Sequence, residues 1–128
     1  MSVLDGSLVV VRLEASSPFP AWLPADGFLS ITRTAEEVSI VCPQSFVPSD
    51  VTAEPGWGAI RIEGPLDFNL VGILASIATV LADSGISLFA ISTFETDYVL
   101  VREAKMSEAV AALRQAGHRV RIANRNHR

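Results

Sequence analysis

Two polar segments of the sequence carry residue types that could bind a small charged molecule. The first segment runs from Glu63 to Gly72, where a strand pattern gives way to a helix pattern. A helix start offers unpaired N–H groups and the positive end of the helix dipole, which together receive a carboxylate or phosphate. Asp67 could instead cap the helix and satisfy those N–H groups itself. Gly72, expected one turn into the helix, would permit close approach by a ligand or a neighbouring backbone.

The second polar segment is Ser92–Asp97, which holds three hydroxyl groups and two carboxylates in six residues. Hydroxyls beside carboxylates could hold a cationic group such as an ammonium. Ordinary turn chemistry explains the same composition equally well, because Ser, Thr and Asp side chains all stabilise turns. The residue types alone leave both interpretations open.

Motifs for catalysis and metal binding are missing from the sequence. There is no Walker sequence, no Gly-x-Ser-x-Gly elbow and no Cys-x-x-Cys, and Gly56–Gly58 does not extend into a dinucleotide fingerprint. His118 and His127 have no neighbouring cysteine or carboxylate cluster, so we expect no metal site. Cys42 lies inside a strand pattern, which favours a buried structural thiol over a nucleophile. We therefore expect a protein without enzymatic activity, cofactor or metal.

Composition and charge narrow the class of protein further. The chain has 128 residues, of which 49% are hydrophobic and 19% charged, so it can bury a sizeable core. The formal net charge of −4 argues against a dedicated nucleic-acid binder. Four of the ten basic residues lie after position 118, and we expect residues 123–128 to form a solvated basic tail.

The absence of a disulfide pair and of a secretory signal pattern predicts the cellular location. The single cysteine cannot form an intrachain disulfide, and no secretory signal pattern opens the sequence, so we expect a cytoplasmic protein. The longest apolar run, Leu70–Ala82, has 13 residues, whereas a membrane-spanning helix needs about 20. We expect a core helix there and no membrane partner.

Periodicity in the second half predicts strands at Gly58–Glu63, Ile86–Phe94, Tyr98–Glu103 and His118–Ile122. Ile86–Phe94 is apolar on both faces, as expected of a central strand, and it forms a hairpin with the strand that follows. A helix is predicted between Asn69 and Ser84, with Asp67 or Asn69 as its cap and Gly85 at its end. A second helix, Met106–Ala116, places a stripe of apolar residues on one face before Gly117, namely Ala109, Val110, Leu113 and Ala116.

The predicted element order, βαββαβ, is that of a ferredoxin-like α+β fold. Such a unit has a four-stranded antiparallel sheet with both helices on one face. The other face, for which Arg61, Arg119 and Arg121 are candidates, would be open to solvent or a partner.

The first half repeats this pattern in a shortened form. Predicted strands at Ser7–Glu14, Phe28–Thr34 and Glu37–Cys42 match the second half at offsets of 49 for the first strand and 61 for the hairpin. Twelve residues are therefore missing where the second half has its first helix, and the proline-rich Pro18–Pro24 stands there instead. With Val51–Glu54 as a fourth strand, we interpret the first half as a degenerate duplicate.

Two segments carry a resemblance to a known family: Gly64–Ala75, which reads GPLDFNLVGILA, and Phe89–Val101, which reads FAISTFETDYVLV. With these motifs the chain resembles ACT domains, and within them the CASTOR-like branch related to the regulatory region of aspartate kinases. The resemblance implies two tandem ACT-type units, the first degenerate. We expect the first unit at residues 1–57, the ACT domain at 58–122 and the basic tail at 123–128.

The resemblance also implies a function, namely binding of a small molecule, usually an amino acid, by a regulatory or sensor protein. ACT units form their pockets by pairing, so we expect a homodimer. Backbone N–H groups at Asn69–Val71 would receive the ligand carboxylate, and Asp97 or Asp67 its ammonium. Phe68 with Ile91 would contact its carbon chain. The ligand-binding residues carried over from the family are Asp67, Phe68, Leu70, Val71, Gly72, Ile91, Ser92, Thr93 and Asp97.

Two alternatives remain open at this point. A small enzyme of ferredoxin-like fold would use Asp67, Glu95 and Asp97 as acids and bases. An interaction subunit without a ligand would instead use an exposed sheet face or edge. Whether the first unit retains a site is also left open.

Overall fold

The computed structural model describes residues 1–62 and 72–122. The chain divides into two compact units. The N-terminal unit is Gly6–Trp57, and the C-terminal unit combines Met1–Asp5 with the chain from Gly58 onward. The strands are β1 (Ser2–Val3), β2 (Leu8–Glu14), β3 (Ser30–Arg33), β4 (Glu37–Pro43), β5 (Ala53–Ile62), β6 (Phe89–Ser92), β7 (Asp97–Arg102) and β8 (Arg121–Ile122), and the helices are α1 (Ile73–Asp83) and α2 (Met106–Gln115).

The N-terminal unit is an antiparallel sheet in the order β3-β4-β2-β5. This is the strand order of a ferredoxin-like unit, and the strands predicted from the sequence form it. No α-helix occurs in the unit, and a single 3-10 turn, Gln44–Phe46, follows β4. The core lies on one face of the sheet, where β-branched residues dominate the buried positions: Val9, Val11, Val38, Ile40 and Cys42.

Strand β5 joins two segments that the sequence predicted as separate strands, Val51–Glu54 and Gly58–Glu63. A bulge at Pro55 and Gly56 absorbs the expected break, because the pairing with β2 shifts there by one residue. Gly56 has a φ of 85°, which other residues rarely adopt, and its N–H donates to Gln44 Oε1 at 3.0 Å. The glycine therefore bends the strand without ending it.

The sheet of the C-terminal unit corrects the predicted four-stranded antiparallel arrangement. Its order is β6-β7-β5-β1-β8, so the N-terminal strand β1 separates β5 from β8. β1 runs antiparallel to β5 but parallel to β8, with Val3 opposite both Ile60 and Ile122. The Met1 amine also donates to Arg119 O at 3.0 Å. A strand of two residues is too short to show an alternating pattern of apolar and polar residues, so the sequence pattern does not predict β1.

Strand β6 is shorter and more exposed than the predicted central strand Ile86–Phe94. It lies at one end of the strand order, and Ala90 and Ser92 on it are exposed. Ile86 is buried but precedes the strand and packs in the core. The apolar segment Ile86–Phe94 is therefore not one central strand: Ile86 packs in the core, and Phe89–Ser92 form a strand at the edge of the sheet.

Both helices pack on one face of the C-terminal sheet. Ile77 and Leu81 of α1 join buried residues of α2 and of strands β5 and β7 in one hydrophobic cluster. Within α2, Ala109, Val110 and Leu113 are buried as predicted, whereas Ala116 is exposed because the helix ends at Gln115. Among the described residues, neither helix is long and apolar enough to span a bilayer.

Strand β1 gives a test of the C-terminal sheet. Val3 packs against the core of this unit, so Val3→Asp should lower the free energy of unfolding by about 2 kcal/mol through burial of an unpaired charge. Ile122 is paired with Val3 but is 55% exposed, and Ile122→Asp should change stability by about 0.5 kcal/mol or less. Urea unfolding of both variants measures the difference. Equal losses would show that β1 does not contribute to the core.

Candidate ligand-binding site at the hairpin turn

The β6–β7 hairpin is closed by two threonines. Ser92 pairs with Asp97, and the Thr93 N–H donates to Thr96 O at 2.8 Å. The Thr96 N–H donates to Thr93 Oγ1 at 3.2 Å, and that hydroxyl donates to Thr96 O at 3.1 Å. Three hydrogen bonds therefore fix the backbone of the turn next to Asp97.

A further hydrogen bond ties this turn to the neighbouring strand. Thr96 is 4% exposed, and its hydroxyl donates to Ile62 O at the end of β5. The segment that begins at Glu63 is the predicted strand-to-helix junction, so the hairpin turn lies beside the place from which the junction starts. Both threonines lie in the polar segment Ser92–Asp97, but only Thr93 is among the residues carried over from the family. The residue type of Thr96 gives no sign of this role, because the acceptor lies 34 positions earlier in the chain.

The same kind of turn closes the β3–β4 hairpin of the N-terminal unit. There the Thr34 N–H donates to Glu37 O at 2.9 Å, and the Glu37 N–H donates to Thr34 Oγ1 at 3.2 Å. Thr34 thus corresponds to Thr93, an offset of 59 and not the 61 inferred from the sequence. The offset of 61 followed residue identity, which matched Val38 with Val99, whereas the hairpin pairing places Val38 where Asp97 lies.

The pairing decides which predicted site residues share a face. Ser92 and Asp97 are opposite each other and lie on the face that carries the core residues Val99 and Val101, because strand residues two apart face the same way. Ile91 pairs with Tyr98 on the other face. The structure therefore brings Ser92 and Asp97 together, beside Thr93, and separates Ile91 from them.

Of the predicted strand-to-helix junction Glu63–Gly72, only Gly72 is among the described residues. Asp67, Phe68, Leu70 and Val71 lie outside the described residues. Helix α1 begins at Ile73, later than predicted, and Gly72 occupies the cap position instead of Asp67 or Asn69.

The conformation of Gly72 corrects the expectation that it lies one turn inside the helix to allow close approach. A Cβ built on it would meet no atom within 4 Å among the described residues. Its φ is 95°, in the left-handed region that favours glycine. A glycine is therefore suited to this position by its backbone conformation.

Charge at the hairpin is negative, from Glu95 and Asp97. Among residues 1–62 and 72–122, no ion pair or side-chain hydrogen bond is found for Asp97, which is half-buried at the start of β7. A partly buried carboxylate beside two hydroxyl residues can bind a cationic group through charge-assisted hydrogen bonds.

The histidine and the cysteine among the described residues, His118 and Cys42, lie outside the β6–β7 hairpin. Within the described part of the chain, no three His, Cys, Asp or Glu residues are grouped so that they could hold a metal ion. His118 Nε2 lies 3.4 Å from Ser76 Oγ, and His127 lies outside the described residues. Cys42 is buried in the N-terminal core, and burial raises the pKa of its thiol.

Comparison with known proteins identifies the family. A family model described as the ACT domain matches residues 52–115, half of the chain. The chain belongs to the ACT domain family. A second model, for the N-terminal domain of another family, matches residues 6–50, ahead of the ACT domain match.

Curated relatives confirm the resemblance to CASTOR-like proteins. The cytosolic arginine sensor for mTORC1 subunit 1 of Rattus norvegicus is 38% identical over 107 residues, which are 80% of this chain and 30% of the relative. The human protein of the same name is 37% identical over 106 residues, or 79% of this chain and 30% of the relative. The chain therefore spans about a third of the length of these relatives.

Solved structures share the fold of this ACT domain protein. A crystal structure from Agobacterium tumefaciens has a TM-score of 0.92 and 39% identity over 99% of this chain and 95% of that chain. An aspartate kinase of Clostridium acetobutylicum has a TM-score of 0.67 and 14% identity, over 89% of this chain and 34% of that chain. The aspartate kinase likeness expected from the sequence is therefore present in the fold.

The environment of Cys42 predicts slow thiol chemistry. Because the side chain is inaccessible and its raised pKa disfavours the reactive thiolate, 5,5′-dithiobis(2-nitrobenzoate) should label it far more slowly in the native protein than in guanidinium chloride. A ligand that stabilises the fold should slow the native reaction further if labelling requires unfolding. Rapid labelling of the native protein would show that Cys42 is accessible.

Proposed function

We propose that this chain is a regulatory ACT module without catalytic activity that binds a free amino acid beside the β6–β7 turn. The observation that carries the proposal is the hydrogen bond from Thr96 to Ile62. It holds Asp97, a carboxylate without a described partner, next to the strand end that leads into the junction. An acidic group beside the end of the strand that precedes a helix in the chain suits a zwitterion, whose ammonium the acid would bind and whose carboxylate the helix start would receive.

Each end of the ligand has a proposed partner. Asp97 or Asp67 binds the ammonium, and Ser92 and Thr93 offer hydroxyls beside it. The ligand carboxylate binds backbone N–H groups at the start of α1. Since α1 begins at Ile73, we place these donors in its first turn and not at Asn69–Val71.

The junction residues Phe68, Leu70, Val71 and Gly72 complete the proposed site, with Phe68 against the carbon chain of the ligand. We leave Ile91 out of this face, because it lies on the opposite side of the sheet from Asp97.

Arginine is the first amino acid to test. The relatives that match most of this chain are named arginine sensors, and a second cationic group on the ligand suits a site with more than one carboxylate. Asp97 and Asp67 are the two carboxylates that we propose for the cationic groups of arginine.

Domain organisation and assembly complete the proposal. We propose a degenerate ACT-like unit within the predicted range 1–57, an ACT domain at 58–122 to which Met1–Asp5 adds strand β1, and a basic tail at 123–128, in a homodimeric, cytoplasmic protein. The shared threonine turn at an offset of 59 supports the duplication. Val38, fully buried, stands in the first unit where Asp97 stands in the second, so we place the ligand site in the second unit alone.

A second candidate function is that of an interaction subunit without a ligand. Phe94, at the tip of the hairpin turn, is 88% exposed, and an exposed aromatic side chain at a turn suits contact with another protein. Failure of all amino acids to stabilise the protein would favour this candidate.

The first test is a thermal-shift screen of the twenty amino acids followed by calorimetry. A ligand at a hundred times its Kd adds about 2.7 kcal/mol of stability, which a melting experiment resolves. Asp97→Asn keeps the shape of the side chain and removes its charge. It should weaken binding by about 1.5–3 kcal/mol, the range for a hydrogen bond to a charged group.

Glu95→Gln is the matched control, since it removes the same charge two positions away in an exposed part of the turn. It should leave the affinity within about twofold, because an exposed charge contributes little. Equal affinities of Asp97→Asn and wild type would exclude Asp97 from binding. Equal weakening by both variants would indicate a general effect of negative charge.

A further inference from the structure

We infer that Thr96 is a positioning residue for ligand binding: its hydroxyl holds the Asp97 carboxylate at a fixed place relative to the end of β5. This inference rests on the proposed function and assigns a role to a residue outside the binding set carried over from the family. Thr96 is not placed in contact with the ligand.

The burial of Thr96 shows what its hydroxyl does. It is the one polar residue that is buried within the described part of the chain, and its hydroxyl is committed to Ile62 O. A buried hydroxyl with a backbone acceptor is not available to an external ligand. Its effect on binding must therefore pass through the backbone that it holds.

The bond between Thr96 and Ile62 O restrains the residues on both sides of Thr96 in the chain. Thr96 is bonded to Thr93 on one side and is directly followed by Asp97 on the other. Asp97 is in turn paired with Ser92 across the hairpin. A single anchor at Thr96 thus fixes the hydroxyl residues and the carboxylate of the proposed site together.

Fixing these groups in advance lowers the cost of binding. A site whose polar groups are already ordered loses less conformational entropy when the ligand binds. Without the Thr96 bond, β7 would stay paired with β5 and the turn would keep its internal bonds, but the turn could move relative to the end of β5. The Asp97 carboxylate would then no longer be held at a fixed place beside that strand end.

The N-terminal unit provides a matched control. Thr34 closes its turn with two of the bonds that Thr93 makes, since its N–H donates to Glu37 O and its hydroxyl accepts from the Glu37 N–H, and Glu37 takes the place of Thr96. The Glu37 side chain is partly exposed and lies 3.9 Å from the Arg12 guanidinium. Removing the Thr34 hydroxyl therefore perturbs a similar turn in the unit that holds none of the proposed site residues.

The experiment compares Thr96→Val, Thr96→Ser and Thr34→Val by calorimetry and thermal melting, with L-arginine or with the amino acid that stabilises the wild type most. Thr96→Val removes the hydroxyl at nearly constant shape and should raise Kd about tenfold or more. Thr96→Ser restores the hydroxyl and should return Kd to within about threefold of wild type, even where its melting temperature is lower. Thr34→Val should leave Kd within about twofold while lowering the melting temperature.

The outcomes separate this inference from the proposed function. Thr96→Val with a lowered melting temperature and an unchanged Kd would overturn the inference and leave the proposed function standing. A tenfold loss in Thr96→Ser would overturn it as well, and this test still applies if Thr96→Val does not fold. Absence of binding by the wild type to any amino acid would refute the proposed function and the inference with it.

Discussion

The proposed site depends on the hydrogen bond from the Thr96 hydroxyl to Ile62 O, because this bond connects the β6–β7 turn to the end of β5. Turns gain little stability from their own hydrogen bonds and are held mainly by what they pack against. Here the turn and the strand end come from segments more than thirty residues apart; β7 pairs with β5, and the buried Thr96 bond ties the turn itself to the end of β5. The spacing matters because a zwitterion presents two charges at a fixed separation.

The core beneath this contact keeps the strands in place. Ile60 and Ile62 of β5 and Val99 and Val101 of β7 lie in the hydrophobic cluster with both helices, and all are almost completely buried. Burial of each such side chain contributes about 1.5–3 kcal/mol. A one-residue slip of either strand would turn these side chains away from the helices, so the core also fixes the register of the hairpin.

The N-terminal unit shows what the fold retains without long helices. Its antiparallel sheet keeps the ferredoxin-like strand order, and its core is a cluster of strand residues with contributions from the connecting loops. Partly buried Trp22 and Leu23, within the proline-rich segment Pro18–Pro24, pack on this cluster. A short loop that places an aromatic and an aliphatic residue on the sheet can thus cover part of the surface that a helix would cover. Val38 starts its hairpin pairing opposite Arg33 as Asp97 does opposite Ser92, but Val38 belongs to the core.

The sequence by itself determined the strands β2, β3, β4 and β7, the helix α2, the pairing of the two hairpins and the burial of Cys42. Each of these follows from a local period or a local turn, which neighbouring residues specify among themselves. It also placed two polar segments whose residue types suit a small charged ligand. The family resemblance rested on the same segments.

Only the tertiary structure decided the features that depend on distant residues. The insertion of β1 between β5 and β8, the pairing of β5 with β2 on both sides of its bulge and the bond from Thr96 to Ile62 O all join positions far apart in the chain. The separation of Ile91 from Asp97 has a related cause, since the hairpin register determines which residues share a face. A local sequence pattern does not indicate which distant strand will pair with a given strand, because strand pairing depends on the packing of the whole unit.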